Sequence, residues 1–176
     1  MRCYYGQLKA QRRSHVVIGG NTYVTGEIRP IDWVRNMKLE NGRPPRMDLY
    51  SHNPFSFREP NLRNPPSVQG LVDFSDLGRP RHKRITLFLS EFTIPTGPDI
   101  EFNVHVAPKT QSKRITSAFR VARKLDADTL GRIHLRDEPP IVGGTSIQGG
   151  LLRHDGKHKP GFYAFMRGGL MAAQRS

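Results

Sequence analysis

The side chains best suited to chemistry in this chain stand singly, each at the end of a short apolar run. Glu91 follows Ile85-Thr-Leu-Phe-Leu-Ser90, and Phe92 comes next. A carboxylate cannot sit unpaired inside a core. Glu91 therefore marks either the mouth of a site or an ion pair with one of the chain's many arginines. Tyr50, His52 and Asn53 close a second run that begins at Arg46, with Phe55 just beyond. A lone His before Asn-Pro also suits a turn in which the ring hydrogen-bonds to backbone. Asn21, Thr22 and Tyr23 follow a third run, Val16-Val-Ile18, and His134, Arg136 and Asp137 follow a fourth, Thr129-Leu-Gly-Arg-Ile-His-Leu135. One carboxylate among amides, imidazoles and aromatic rings makes a cleft suited to sugars, whose hydroxyls need donors and acceptors and whose C–H faces need ring surface.

Other chemistries lack their parts. His154 and His158 are four apart, but Asp155-Gly156 between them reads as a turn, and Cys3 is the single cysteine. The pattern predicts no metal centre, no disulfide and no cofactor. The glycines at 143, 144, 149 and 150 lack the Lys-Ser/Thr of a phosphate cradle and read as a connection.

The elements that must position these residues alternate. Residues 2–13 read as a helix. Strands are predicted near 15–20, 46–50, 85–91 and 129–135. The first is stopped by Gly19-Gly20, and each is a continuous apolar run of the kind found in strands covered on both faces. Pro30 opens a short helix to Lys38. Ile115, Ala118, Phe119, Ala122 and Leu125 form one apolar stripe on a helix over 109–125. A short helix is predicted over 160–166, and a weak helical signal lies around 72–77. Strands alternating with helices imply right-handed βαβ units and a parallel sheet, so the fold class is α/β in one domain, residues 1–176. In such sheets functional residues gather at the carboxyl ends of the strands.

Charge is the outlying global property. Twenty-eight basic residues against 15 acidic ones give +13, with mean hydropathy −0.57. Arginine outnumbers lysine 20 to 8, and the basic residues are scattered, densest at Arg79-Pro-Arg-His-Lys-Arg84. No RNP-type, zinc-finger or basic-zipper pattern accompanies them, which argues against a nucleic-acid partner and for a solvated surface. No apolar run approaches the ~20 residues of a membrane span. Met1-Arg-Cys-Tyr-Tyr-Gly-Gln-Leu has no apolar leader core. Neither a membrane span nor a secretory leader is predicted, and the compartment stays open.

The stretches Ile18-Gly-Gly-Asn-Thr22, Met47-Asp-Leu-Tyr-Ser-His-Asn-Pro-Phe55, Leu87-Phe-Leu-Ser-Glu-Phe92 and Leu130-Gly-Arg-Ile-His-Leu135, followed by Gly149-Gly-Leu-Leu-Arg-His-Asp-Gly-Lys-His-Lys-Pro160, carry a resemblance in their order and spacing. Together they resemble the last four βα units of a clan A, cellulase-like glycoside hydrolase. The resemblance runs from about Val16 to Phe165. It implies an incomplete (β/α)8 TIM barrel of about four parallel βα units. It also implies a retaining O-glycosidase activity on polysaccharides or glycosides, which makes carbohydrate the partner. By the resemblance Glu91 matches the catalytic nucleophile, and His52 matches a histidine that orients the site and binds sugar hydroxyls. Asn21 and Thr22 match the lip of a neighbouring strand. Tyr50, Asn53, Phe92, His134 and Asp137 complete the expected substrate-binding set. Two features depart from the pattern. No residue of this chain matches the family's acid/base glutamate, and Arg132 stands where a sugar-platform tryptophan is usual. The resemblance thus implies half of a catalytic pair, inactive alone, that associates with a missing N-terminal half or with itself. The other reading is a small basic half-barrel module that binds a polyanion or nucleic acid through its arginines.

Overall fold

The protein is described by a computed structural model at residues 2–23, 27–54, 85–98, 105–139 and 146–173. The helical signal at 72–77, the basic stretch 79–84, Phe55 and Gly143-Gly144 lie outside the described residues. Along the chain come α1 (Arg2–Gln11), β1 (Ile18–Tyr23), α2 (Pro30–Asn36), β2 (Leu49–Asn53), β3 (Thr86–Leu89), α3 (Pro108–Lys124), β4 (Thr129–Leu130) and α4 (Pro160–Ala173). The strands form one sheet in the order β1-β2-β3-β4, every neighbouring pair parallel. Fold class and topology are those read from the alternation of elements.

Several boundaries move, each for a tertiary reason. β1 runs to Tyr23 rather than stopping at Gly19-Gly20. Gly20 adopts φ +73, the register slips between Gly19 and Thr22, and the Tyr50 ring occupies the space a Cβ on Gly20 would need, 2.3 Å away. Only glycine lets the strand pass under that ring. β2 starts three residues later than expected and continues through Ser51, His52 and Asn53. Asp48 ahead of it is used instead as a clasp, accepting from the Val17 N–H at 2.8 Å and pairing with Lys9 at 2.8 Å. β4 is two residues long, not seven. Gly131 passes so close to the Ser90 carbonyl that a Cβ there would lie 2.4 Å from its oxygen, and regular pairing ends with β3 at Leu89. α4 continues past Gly168-Gly169 to Ala173.

Alternation along the strands divides the sheet into two faces. Tyr50, Leu87 and Leu89 pack with Val34 of α2 and with Ala122 and Leu125 at the end of α3, so this face meets the helices. Of Leu87 and Phe88, Leu87 is the helix-facing residue, at 0% exposure. Ser51, Asn53, Phe88 and Ser90 alternate with these and belong to the opposite face. A second cluster joins Phe92, Ile94, Ile115, Ala118, Phe119, Leu151 and Ala164, and it fastens α4 to α3.

The close approach of those helices rests on Gly168, where an added Cβ would lie 2.3 Å from the Phe119 ring, whereas nothing lies within 4 Å at the adjacent Gly169. Helix propensity rises equally when either becomes alanine, so the difference between the variants isolates packing. Gly168→Ala is expected to be less stable than Gly169→Ala by about 1–3 kcal/mol. Equal denaturant midpoints for the two variants would show that this contact does not hold the helices.

Candidate active site

On the face away from the helices, five polar side chains link three strands. Ser51 on β2 donates to Asn21 Oδ1 on β1 at 3.3 Å and shares a hydrogen bond of 2.9 Å with the Ser90 hydroxyl. Ser90 also lies 2.5 Å from Asn53 Oδ1, and the Asn53 amide donates to Glu91 Oε2 at 2.8 Å. Asn21 and Glu91 at the two ends are exposed, while Ser51 and Asn53 between them are buried. The Glu91 carboxylate is thus open to solvent at the carboxyl end of the sheet, with one oxygen held by an oriented amide. A carboxylate fixed in this way can serve as an oriented nucleophile or as an acceptor for sugar hydroxyls.

His52 lies on the other face. It alternates with Ser51 and Asn53, so its ring points to the helix side with Tyr50 and is 1% exposed. Its Nδ1 is 2.8 Å from Thr22 Oγ1, which also accepts from the Tyr50 hydroxyl at 3.2 Å. His52 is therefore a strand residue and not a turn residue. Burial pushes its pKa down to about 4, so the ring is neutral at pH 7. Thr22, Tyr50 and His52 act as a buried brace behind the strands that carry Asn21, Ser51 and Asn53.

The remaining expected site residues are dispersed. Phe92 is buried in the cluster beneath α3 and α4. His134 is four residues beyond β4, with Nε2 3.8 Å from Glu138 and with Nδ1 unpartnered among the described residues. Asp137 is buried in an ion pair with Lys159 at 2.6 Å, and it also accepts from the Gly150 N–H at 2.8 Å. The Lys159 ammonium donates further to Thr96 Oγ1 and to the Gln148 carbonyl. Burial lowers the Lys159 pKa, and the contact with Asp137 opposes that shift. Arg132 donates to the Gly149 carbonyl, and burial lowers its pKa to about 10. Ser51 and Ser90 are the site residues that sequence reasoning missed. Small hydroxyls inside apolar runs look like strand filler until the strands are aligned. Among the described residues no cluster of three His, Cys, Asp or Glu side chains could hold a metal, and no helix is long and apolar enough to cross a membrane.

No family model and no curated protein sequence matches the chain. Solved structures do match in fold. Xylanase 10B from Thermotoga maritima superposes at TM-score 0.56 and 19% identity, covering 99% of this chain and 53% of its own. Xylanase 10B from Thermotoga petrophila RKU-1 gives 0.58 and 16%, covering 95% and 50%. The family 17 β-1,3-glucanosyltransferase from Rhizomucor miehei gives 0.51 and 19%, covering 91% and 55%. These neighbours are clan A (β/α)8 glycoside hydrolases, and this chain spans about half their length. At such identities the likeness establishes the fold alone: an α/β architecture corresponding to part of a TIM barrel.

Two outcomes follow from the buried groups. His52 is neutral when folded and titrates near 6.5 when unfolded, so the unfolded chain binds the extra proton between pH 6.5 and 4. Stability contributed by the neutral ring is complete above about pH 6.5 and is lost as pH falls towards 4, on the order of 3 kcal/mol in all. Urea melts at pH 7.5 and 4.5 should show a markedly larger acid loss for the native chain than for His52→Gln; parallel losses would contradict this. Lys159→Met leaves Asp137 buried without its partner and should cost about 3–5 kcal/mol, part of which Asp137→Asn restores. A double variant no more stable than Lys159→Met would exclude the ion pair as the cause.

Proposed function

We propose that this chain is the carboxyl-terminal half of a retaining glycoside hydrolase barrel, with Glu91 as its catalytic nucleophile. The observation that carries the reading is the Glu91 carboxylate, open to solvent at the carboxyl end of β3 and oriented by Asn53 at 2.8 Å. The glycosidase-like fold supports it. In this mechanism a Glu91 oxygen attacks the anomeric carbon as the bond to the leaving oxygen breaks, forming a glycosyl ester. Water then attacks the same carbon and releases the carboxylate. Asn53 positions the nucleophile, and Asn21 at the far end of the ladder is placed to accept from or donate to a sugar hydroxyl. Thr22, Tyr50 and His52 act through the strands they brace.

The leaving oxygen also needs a proton from a second carboxyl group about 5–5.5 Å from the nucleophile. The carboxylates that follow β4 are engaged elsewhere, Asp137 with Lys159, Glu138 near His134 and Asp155 with Lys157. We assign the acid to a complementary set of βα units, contributed by a separate polypeptide or by a longer one. Among the described residues β1 and β4 each pair on one side only, and Ile18 on β1 is 43% exposed. Such edges and apolar surface suit association with that other half, or of the chain with itself.

Two assays separate nucleophile from acid. Dinitrophenyl 2-deoxy-2-fluoroglycosides need no protonation of the leaving group. A panel of gluco-, xylo- and glucuronosides should include a donor that labels Glu91, located by peptide mass, with no label on Glu91→Gln. Natural disaccharides need the acid, whose loss is typically worth about 10²–10⁴ in rate, so the chain alone should turn them over negligibly. Label on another residue would remove Glu91 from the role. Disaccharide turnover abolished by Glu91→Gln would show that the acid is in this chain.

A further inference from the structure

A cavity of about 590 Å³ opens between α1, the first residues of β1 and the chain that runs from α2 to β2. Its floor is the start of β1. Gly19 stands opposite Tyr50 and so faces the helix side, where Met47 lies against it. A Cβ on Gly19 would come within 2.8 Å of the Met47 sulfur, so glycine lets that side chain lie flat on the strand. Tyr5 of α1 is fixed as a wall. Its hydroxyl donates to Asp48 at 3.1 Å, and the Lys9 ammonium that pairs with Asp48 lies 5.7 Å from the ring centre. Met37, Leu39 and Pro44-Pro45 also line the cavity. A closed turn holds that stretch. The Leu39 N–H donates to the Arg43 carbonyl and the Gly42 N–H to the Leu39 carbonyl, both at 2.8 Å, with Gly42 at φ +72. Hydrogen bonds and prolines therefore shape the cavity before any ligand arrives.

The charge around it is of one sign. Arg43 and Arg46 line the cavity, and no described aspartate or glutamate does. Both arginines are exposed, and neither guanidinium has an ion-pair partner among the described residues. The carboxylates closest to them in the chain do not offset them. Asp48 is held by Lys9, Tyr5 and the Val17 N–H, and Glu40 is exposed and is not a lining residue.

We infer that this cavity binds an organic anion with an apolar body, the chemistry of a medium-chain carboxylate. Its volume falls in the range of small-molecule sites, roughly 300–1,000 Å³. Val17, Met37 and Leu39 line it and are only half-buried, so a hydrocarbon body would complete their removal from water. Methionine side chains adapt to the outline of such a body. The two guanidinium groups match carboxylate oxygens, whereas a cationic head would meet two like charges. The cavity lies at the amino ends of β1 and β2, and Glu91 lies at the carboxyl end of the sheet. The site is thus separate from the proposed nucleophile and does not rest on the glycosidase reading.

Displacement of dansyl-undecanoate from the full chain, followed by fluorescence, tests it. Dodecanoate, dodecanol and dodecylammonium serve as competitors below their micelle concentrations, which holds the apolar body constant. Dodecanoate should compete about tenfold better than dodecanol, and dodecylammonium should compete least. Arg43→Gln/Arg46→Gln should abolish the preference for dodecanoate and leave competition by dodecanol within about twofold. Arg153→Gln/Arg167→Gln, the same loss of charge at exposed positions beyond β4, should change neither. Gly6 also lines the cavity, and nothing lies within 4 Å of where its Cβ would stand. Gly6→Trp therefore adds bulk there without displacing a neighbour, and tryptophan favours the helix over glycine. This variant should bind the probe at least about tenfold more weakly with an undiminished denaturant midpoint. No displaceable probe binding, equal competition by the three competitors, equal losses in the two arginine pairs, or native affinity in Gly6→Trp would each overturn the proposal.

Discussion

The site depends on the alternation of β2, the strand between β1 and β3. Tyr50 and His52 turn to the helices, and Ser51 and Asn53 turn away from them. That single parity places an apolar and aromatic brace on one side of the sheet and a hydrogen-bonded ladder on the other. A one-residue slip in register would bury Ser51 and Asn53 among Leu87, Leu89 and Val34 and would break every link from Asn21 to Glu91. The Tyr50 ring over Gly20 resists such a slip. It fills space that only glycine leaves open, and its hydroxyl donates to the threonine that also holds His52. The packing constraint and the polar network therefore select the same register.

A second organising element is the Lys159–Asp137 pair. It ties the chain after β4 to the residue before α4, and it gathers the Gly150 N–H, Thr96 hydroxyl and Gln148 carbonyl around two buried charges. Such a pair adds little net stability relative to apolar packing, but neither charge tolerates loss of the other. Its consequence for the surface is electrostatic: it withdraws a carboxylate from solvent beyond β4.

Much of the architecture was legible in the sequence because it follows from local rules. The apolar stripe of α3, the prolines that open α2, α3 and α4, and the short apolar runs of the strands are decided by residues near one another in the chain. They determined the element order, the parallel α/β class and the placement of Glu91 at a strand end. Gly19-Gly20 misled because glycine reads as a stop locally, yet here Gly20 makes room for Tyr50, a partner 30 residues away. Ser51 to Asn53 misled in the converse way, because polar residues continue a strand when neighbouring strands satisfy them.

What only the tertiary structure decided is which side each polar residue takes and which partner it keeps. His52 and Asn53 are adjacent in the chain and look equally suited to sugar hydroxyls, but pleating sends one into the core as a neutral, buried ring and the other to Glu91. Asp137 resembles an accessible acid until Lys159, 22 residues later, closes on it. These outcomes depend on register and on burial, which are properties of strands and helices brought together from distant segments. The sequence by itself determined which chemical groups reach the carboxyl end of the sheet; the assembled fold determined which of them remain free to act there.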